Sequence, residues 1–144
     1  LHTNYGTFAP VKTEDVESHK MHKEYFELPA DTVKAIIETK SRGGKVFAVG
    51  TTTTRVLENY ALMSVASLLP RNDEEYKGYT DMYIYPGYRF RTVDHLITNF
   101  HLPKSTLLIL TSAFAEKYFI FEAYRQAIEK RYRFFSYGDS MLII

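Results

Sequence analysis

The residues best suited to proton chemistry stand in the segment 86–105. Asn99 and His101 lie two apart, just ahead of Pro103 and the apolar run 106–115. Proline suits the first position of a helix, where no N–H is required. His101 is then expected just before a helix N-terminus, whose positive dipole end lowers an imidazole pKa. A neutral imidazole accepts a proton at physiological pH, so His101 is a candidate base, and Asn99 a candidate to orient the ring or a substrate. The same pair also fits a plain helix cap bonded within the core. His22 and Glu24 form a second constellation. On a strand they share one face, as a proton-handling pair with Glu24 the alternative base. An exposed strand face, or a metal pair lacking an obvious third ligand, reads from the same spacing.

Gly50-Thr51-Thr52-Thr53-Thr54-Arg55 follows the apolar run 45–49. Strand, glycine, hydroxyl run and helix start make the layout of an anion- or hydroxyl-binding turn, because the first N–H groups of a helix are unpaired. Gly50, Thr51, Thr52 and Thr53 supply donors in this reading, and Arg55 holds a carboxylate or phosphate. Thr51 or Thr52 as a simple N-cap is the plainer alternative. The Walker spacing and its lysine are missing, as is a Gly-x-Gly-x-x-Gly fingerprint. Near the end, Tyr137-Gly138-Asp139 sets an aromatic ring beside a turn and a carboxylate, which suits stacking on a nucleoside and binding of ribose hydroxyls. Lys130, Arg131 and Arg133 precede it, as a phosphate-binding patch or a solvated helix end.

These groups need a scaffold of alternating strands and helices. Strands are expected near 21–28, 45–49, 81–85 and 140–144, and helices near 32–42, 54–63, 106–115 and 118–131. Asp31 is expected to cap the first helix and Gly43-Gly44 to end it. The stretch 86–105 reads as a polar loop between buried elements, where a rigid frame holds functional side chains. The alternation predicts an α/β fold with at least partly parallel pairing.

The 144 residues suffice for one domain with a core. Hydrophobic content of 45% and charged content of 24% are those of an ordinary globular chain. A net charge of +1 announces no polycation, leaving only local basic faces for nucleic acid. The absence of cysteine excludes a disulfide framework, a thiol nucleophile and thiolate metal sites, and is compatible with the cytoplasm. No apolar run reaches the roughly 20 residues of a membrane-spanning helix. Twelve tyrosines without tryptophan supply flat amphipathic rings that suit purines.

Several blocks together closely resemble the S-adenosylmethionine:tRNA ribosyltransferase-isomerases of queuosine biosynthesis. They are Tyr85-Pro86-Gly87-Tyr88-x-Phe90, the run from Asp94 to Leu108 containing Thr98-Asn99-Phe100-His101-Leu102-Pro103, and His19-x-Met21-His22-x-Glu24. Val49-Gly50-Thr51-Thr52 with Arg55, Leu57 and Glu58, and the closing block from Tyr132 to Asp139, complete the set. One departure is Asn4, where the family carries glycine in its first block. The resemblance covers essentially the whole chain but only the C-terminal part of the family, so the chain is expected to be a fragment.

The resemblance implies a barrel-like mixed α/β domain assembled from both ends of a longer chain, with a smaller inserted β domain absent here. Residues 1–144 are expected as one α/β unit, with an exposed sheet edge or apolar patch where the N-terminal part is missing. It implies transfer of the ribosyl part of S-adenosylmethionine to the aminomethyl group of a 7-deazaguanine base in tRNA. The sugar is isomerised to an epoxycyclopentanediol, giving epoxyqueuosine with release of adenine and methionine. S-adenosylmethionine is consumed as a substrate, so no cofactor or metal is implied. The expected partners are S-adenosylmethionine, tRNA and the missing part of the chain, with no membrane and a cytoplasmic location. His101, Glu24 and His22 are the expected catalytic residues. Substrate binding is expected at Gly50, Thr51, Thr52, Thr53, Arg55, Tyr85, Gly87, Tyr88, Asn99, Tyr137 and Asp139. The fragment alone is expected to be inactive. The alternative is a non-catalytic nucleotide- or RNA-binding α/β module; adenine release separates the two. A conventional methyltransferase lacks support, because its glycine-rich first loop is missing.

Overall fold

The computed structural model describes residues 1–2, 11, 15–65 and 75–144. The turn containing Asn4 lies outside these residues. The order of elements is β1 (Glu24–Leu28), α1 (Ala30–Ser41), β2 (Phe47–Val49), α2 (Thr51–Val65), β3 (Tyr76–Thr80), β4 (His95–Asn99), α3 (Thr106–Ala115), α4 (Lys117–Glu129) and β5 (Ser140–Ile143). The mixed α/β class is as expected. β1 and β3 form an antiparallel pair, and a second sheet has the order β2-β4-β5, with β2 and β4 parallel and β4 and β5 antiparallel. Both described sheets are open; the barrel implied by the resemblance is not formed by these strands.

Alternation along β4 explains how the second sheet packs. Leu96 and Thr98 face inward and are buried; Leu96 joins Ala48 in the core of Val56, Leu57, Tyr60 and Leu110. The opposite face carries Phe47, Val49 and Leu142, which are 52%, 66% and 56% exposed. Register sets Val49, Ile97 and Leu142 side by side there. This is the exposed apolar patch that the sequence leads one to expect.

Several boundaries differ from the sequence reading for local reasons. The helix expected at 32–42 begins at Ala30, and Asp31 does not cap it. Pro29 holds the N-cap position in an extended conformation without a side-chain bond, and Asp31 sits in the first turn against the helix dipole. The strand expected at 81–85 is instead β3, at Tyr76–Thr80. Thr80 Oγ1 donates to Asn59 Oδ1 at 3.2 Å and accepts from the Met82 N–H at 3.1 Å. That local bond turns the chain off the ladder, and Ile84 is buried by the core instead. β4 is a strand where a loop is expected, and it is the central one of its sheet. Pro103 does not begin α3. Ser105 is the N-cap, accepting from the Leu108 N–H at 3.2 Å.

Two carboxylates steer the chain into β4. After the Pro86-Gly87 turn, with Gly87 at φ 102, the chain runs outside any strand and bends at Arg91, Thr92 and Asp94. Its N–H groups at Arg91, Thr92 and Val93 donate to the Glu58 carboxylate, each at 2.9 Å, and the Tyr88 hydroxyl donates at 3.0 Å. Glu58 is fully buried on α2. Asp94 then accepts from Lys40 Nζ at 2.7 Å and the Val46 N–H at 2.8 Å. Burial alone would raise the Asp94 pKa; the hydrogen bonds from Lys40 and Val46, with the charges of Lys40 and Lys45 beside it, hold it below the usual range.

Glu58→Ala leaves three backbone N–H groups without their acceptor and is expected to cost about 3–5 kcal/mol of stability. Urea unfolding measures it. A loss under about 1 kcal/mol contradicts the assigned role of the carboxylate.

Candidate active site

β2 and β4 run parallel, so their carboxyl ends open on the same edge of the sheet. That edge is the usual ligand position in open parallel sheets. From β2 the chain passes through Gly50 directly into α2. Gly50 has φ 93, a conformation that favours glycine, and its N–H donates to the Ile97 carbonyl at 2.8 Å. That bond ties the start of α2 to β4. Thr54 closes the first turn by donating its amide and hydroxyl to the Gly50 carbonyl, at 3.1 and 3.0 Å. Because α2 begins at Thr51, and not near residue 54, the first N–H groups of the helix face the edge.

From β4 the chain continues through Asn99 and Phe100 to His101. The His101 N–H donates to the Tyr124 hydroxyl at 2.7 Å, and its Nε2 lies 2.8 Å from Thr98 Oγ1. Burial lowers the imidazole pKa from 6.5 to about 4. The neutral ring expected from the sequence is therefore present, but burial causes it and not the dipole of a helix beginning at Pro103. Asn99 does not orient this ring. Its Nδ2 donates to the Asp139 carbonyl at 3.3 Å and ties β4 to the closing loop.

A pocket of about 260 Å3 lies between these ends. Gly50, Thr51 and Thr52 line one side, and Thr98, Asn99 and His101 another. Leu102, Ser105 and Leu107 line it toward α3, with Phe135 and Ser136 at the closing loop. Backbone donors, hydroxyls, one neutral base and apolar walls thus share one space. Such a set can hold a polar, partly apolar ligand and remove a proton from it.

Other expected site residues lie elsewhere. Arg55 and Glu24 are each 2% exposed and paired at 2.5 Å, away from the pocket lining. With α2 starting at Thr51, Arg55 falls beyond the open first turn and points inward. It anchors β1 to α2. Nε and Nη1 of Arg55 have no hydrogen-bond partner among the described residues. Glu24, so enclosed, is not placed as an accessible base. His22 is exposed and precedes β1, so it does not share a strand face with Glu24. Thr53 is exposed beside the lining residues. Tyr88 serves the Glu58 clamp, and burial followed by the nearby carboxylate pushes its phenol pKa strongly up. Gly87 forms the turn closed by the Tyr88 N–H to the Tyr85 carbonyl at 3.1 Å. Tyr85 lines a second, larger groove of about 800 Å3 with Lys104, Ile109, Lys117 and Phe121 among its walls. Asp139 does not offer a free carboxylate, because it accepts from the Arg133 N–H at 2.7 Å and from the guanidinium at 3.0 Å. Tyr137 stands wholly in solvent.

The sequence reading missed Thr98, Ser105, Phe135 and Ser136. Recognising β4 by the alternation Leu96-x-Thr98 would have supplied Thr98. The next residues after Phe134 offered no signal beyond adjacency to Tyr137.

The lowered His101 pKa makes stability depend on pH. The unfolded imidazole takes up a proton from about pH 6.5 downward, and the folded one only near pH 4, so stability is lost as pH falls through that window. Between pH 7 and 5 the loss assigned to this group is about 1–2 kcal/mol. His101→Asn is expected to flatten that part of the urea-unfolding profile. An unchanged slope contradicts a buried neutral imidazole.

Residues 1–143 match the family model described as queuosine biosynthesis protein. The chain is 54% identical over 144 residues to the S-adenosylmethionine:tRNA ribosyltransferase-isomerase of Thermotoga maritima, covering all of this chain and 41% of that relative. It is 56% identical to the protein of the same name from Halothermothrix orenii, of which it covers 40%. The crystal structure of S-adenosylmethionine tRNA ribosyltransferase from Thermotoga maritima superposes with a TM-score of 0.75 at 53% identity, over 83% of this chain and 40% of that one. The chain thus spans about 40% of the length of the relatives it matches, and with the family model matched along nearly all of it, it belongs to the queuosine biosynthesis protein family.

Proposed function

We propose that this chain supplies part of the active site of an S-adenosylmethionine:tRNA ribosyltransferase-isomerase acting in the cytoplasm. The observation that carries this is the neutral, partly buried His101 at the carboxyl edge of two parallel strands, in one pocket with the N-terminus of α2. The names of the relatives supply the substrates. Adenosylmethionine enters the pocket, and its ribosyl part passes to the aminomethyl group of a 7-deazaguanine base in tRNA. Adenine and methionine leave, and epoxyqueuosine is formed. Adenosylmethionine is a substrate here, and no further cofactor is invoked.

Each pocket wall has a physical part in this reading. The N–H groups of α2 and the hydroxyls of Thr51 and Thr52 hold the oxygens of the ligand. Leu102, Leu107 and Phe135 shield its less polar portion from water. The sulfonium acidifies its neighbouring C–H groups, so the step beside it needs only a moderate base. His101 takes that proton, with Thr98 holding its ring and Tyr124 its backbone N–H. The rest of the family chain, present in the relatives, completes the site.

In the full-length protein, His101→Ala is expected to lower kcat for adenine release by about 10²–10⁴-fold, the range of a general base. Glu24→Gln is expected to act through stability, lowering the melting temperature more than kcat. If His101→Ala keeps kcat within a few-fold of the parent while Glu24→Gln loses it, the base is Glu24. If neither variant loses kcat, the proton is taken by a residue outside this chain.

A further inference from the structure

The segment after α4 has features that the pocket does not use. Arg131 and Phe135, neither of them glycine, have φ of 58 and 70. The Tyr132 N–H donates to the Ala127 carbonyl at 2.9 Å across Arg131, the pattern that normally places glycine in the left-handed position. Such strain persists only where the surroundings over-determine it, and here they do. The Phe135 N–H donates to the Phe100 carbonyl at 2.9 Å, the Gly138 N–H to the Phe135 carbonyl at 2.9 Å, and the Asp139 N–H to the Arg133 carbonyl at 2.8 Å. Asp139 grips Arg133 through both carboxylate oxygens. Any Cβ on Gly138 would come within 2.3 Å of the Arg133 carbonyl oxygen. Together these bonds fix a tight loop, and at its tip Tyr137 is 99% exposed.

The end of α4, which leads into this loop, carries a sign. Glu122 and Glu129 are both engaged by Arg125, and Asp139 by Arg133. Lys130 and Arg131 are exposed and have no ion-pair partner among the described residues. Phe135, half exposed, belongs both to this loop and to the lining of the pocket. An exposed aromatic on a hydrogen-bonded loop, exposed cations at the end of the helix that leads into that loop, and continuity with a pocket are the parts of a platform for single-stranded nucleic acid: bases stack on the ring, phosphates meet the cations, and one base reaches the pocket.

We propose that Tyr137, with Lys130 and Arg131, forms the docking platform for an unpaired segment of the RNA substrate at the mouth of the pocket. This rests on the reading given under Proposed function. Asp139 and Gly138 are positioning residues that hold the loop presenting the ring.

The test uses the full-length protein with tRNA bearing the 7-deazaguanine base, measuring tRNA affinity, the KM of each substrate and the melting temperature. Tyr137→Ala is expected to weaken tRNA binding about 5- to 100-fold, the effect of losing a base stack. The KM for adenosylmethionine stays within about twofold, and Tyr137→Phe restores tRNA affinity. Lys130→Ala combined with Arg131→Gly, which removes charge while suiting the left-handed position, flattens the slope of log affinity against log salt by about 0.7 for each phosphate no longer neutralised. Unchanged tRNA affinity in Tyr137→Ala overturns the proposal. So does a fall in melting temperature with both KM values rising together, because the ring is then covered by protein. If the parent protein itself releases no adenine, the reaction assignment fails. If it turns over normally and Tyr137→Ala binds tRNA as the parent does, only the platform fails.

Discussion

Three consecutive backbone N–H groups and a phenol converge on one buried carboxylate, that of Glu58. The chain between the Pro86-Gly87 turn and β4 bends at Arg91, Thr92 and Asp94 and belongs to no strand ladder, so Glu58 takes the place of a ladder partner for these donors. An unsatisfied buried N–H costs about 1–3 kcal/mol, and three of them together outweigh most single features of a fold this size. The same group would be costly to bury alone, and four hydrogen bonds offset that cost. α2 therefore does two things at once. Its first turn opens on the pocket, and its second turn pins the segment that enters β4.

From that constraint the site geometry follows. Asp94, bridged to Lys40 and Val46, sets β4 in register with β2. Parallel pairing then puts Gly50 and His101 at the same edge. His101 is held by a bond from its backbone and another at its ring, and burial keeps it neutral. The pocket brings a base and a set of unpaired donors together without a buried charge on its walls. The charged pair Arg55–Glu24 lies deeper and serves the join of β1 to α2.

How much of this is readable in the sequence depends on how local the cause is. α3 and α4 follow from their own apolar spacing, and their limits fall within two residues of expectation. β4 shows only the short alternation Leu96-x-Thr98 along the chain, because its partners lie at 47–49 and 140–143 and its own residues mix His, Thr and Asn with two aliphatics. The start of α2 at Thr51 has a larger effect. It keeps Thr51 and Thr52 in the open first turn, as expected, but carries Arg55 past it and into the core. The neutral His101 is expected from a helix dipole that is not there, and burial supplies the same result. Asp139 reads as a ligand for ribose, yet its own neighbour Arg133 takes both oxygens. Charge partners brought together by tertiary folding are the part least visible along the chain.

Amide chemical-shift mapping of the full-length protein during titration with S-adenosylmethionine tests the central claim most directly, because the pocket at the β2 and β4 ends and the larger groove beside Tyr85 are lined by different residues. The largest changes are predicted at Gly50, Thr51, Thr52, Asn99 and His101. Changes concentrated at Tyr85, Ile109 and Lys117, with the first group silent, would contradict the assignment of the pocket at the β2 and β4 ends.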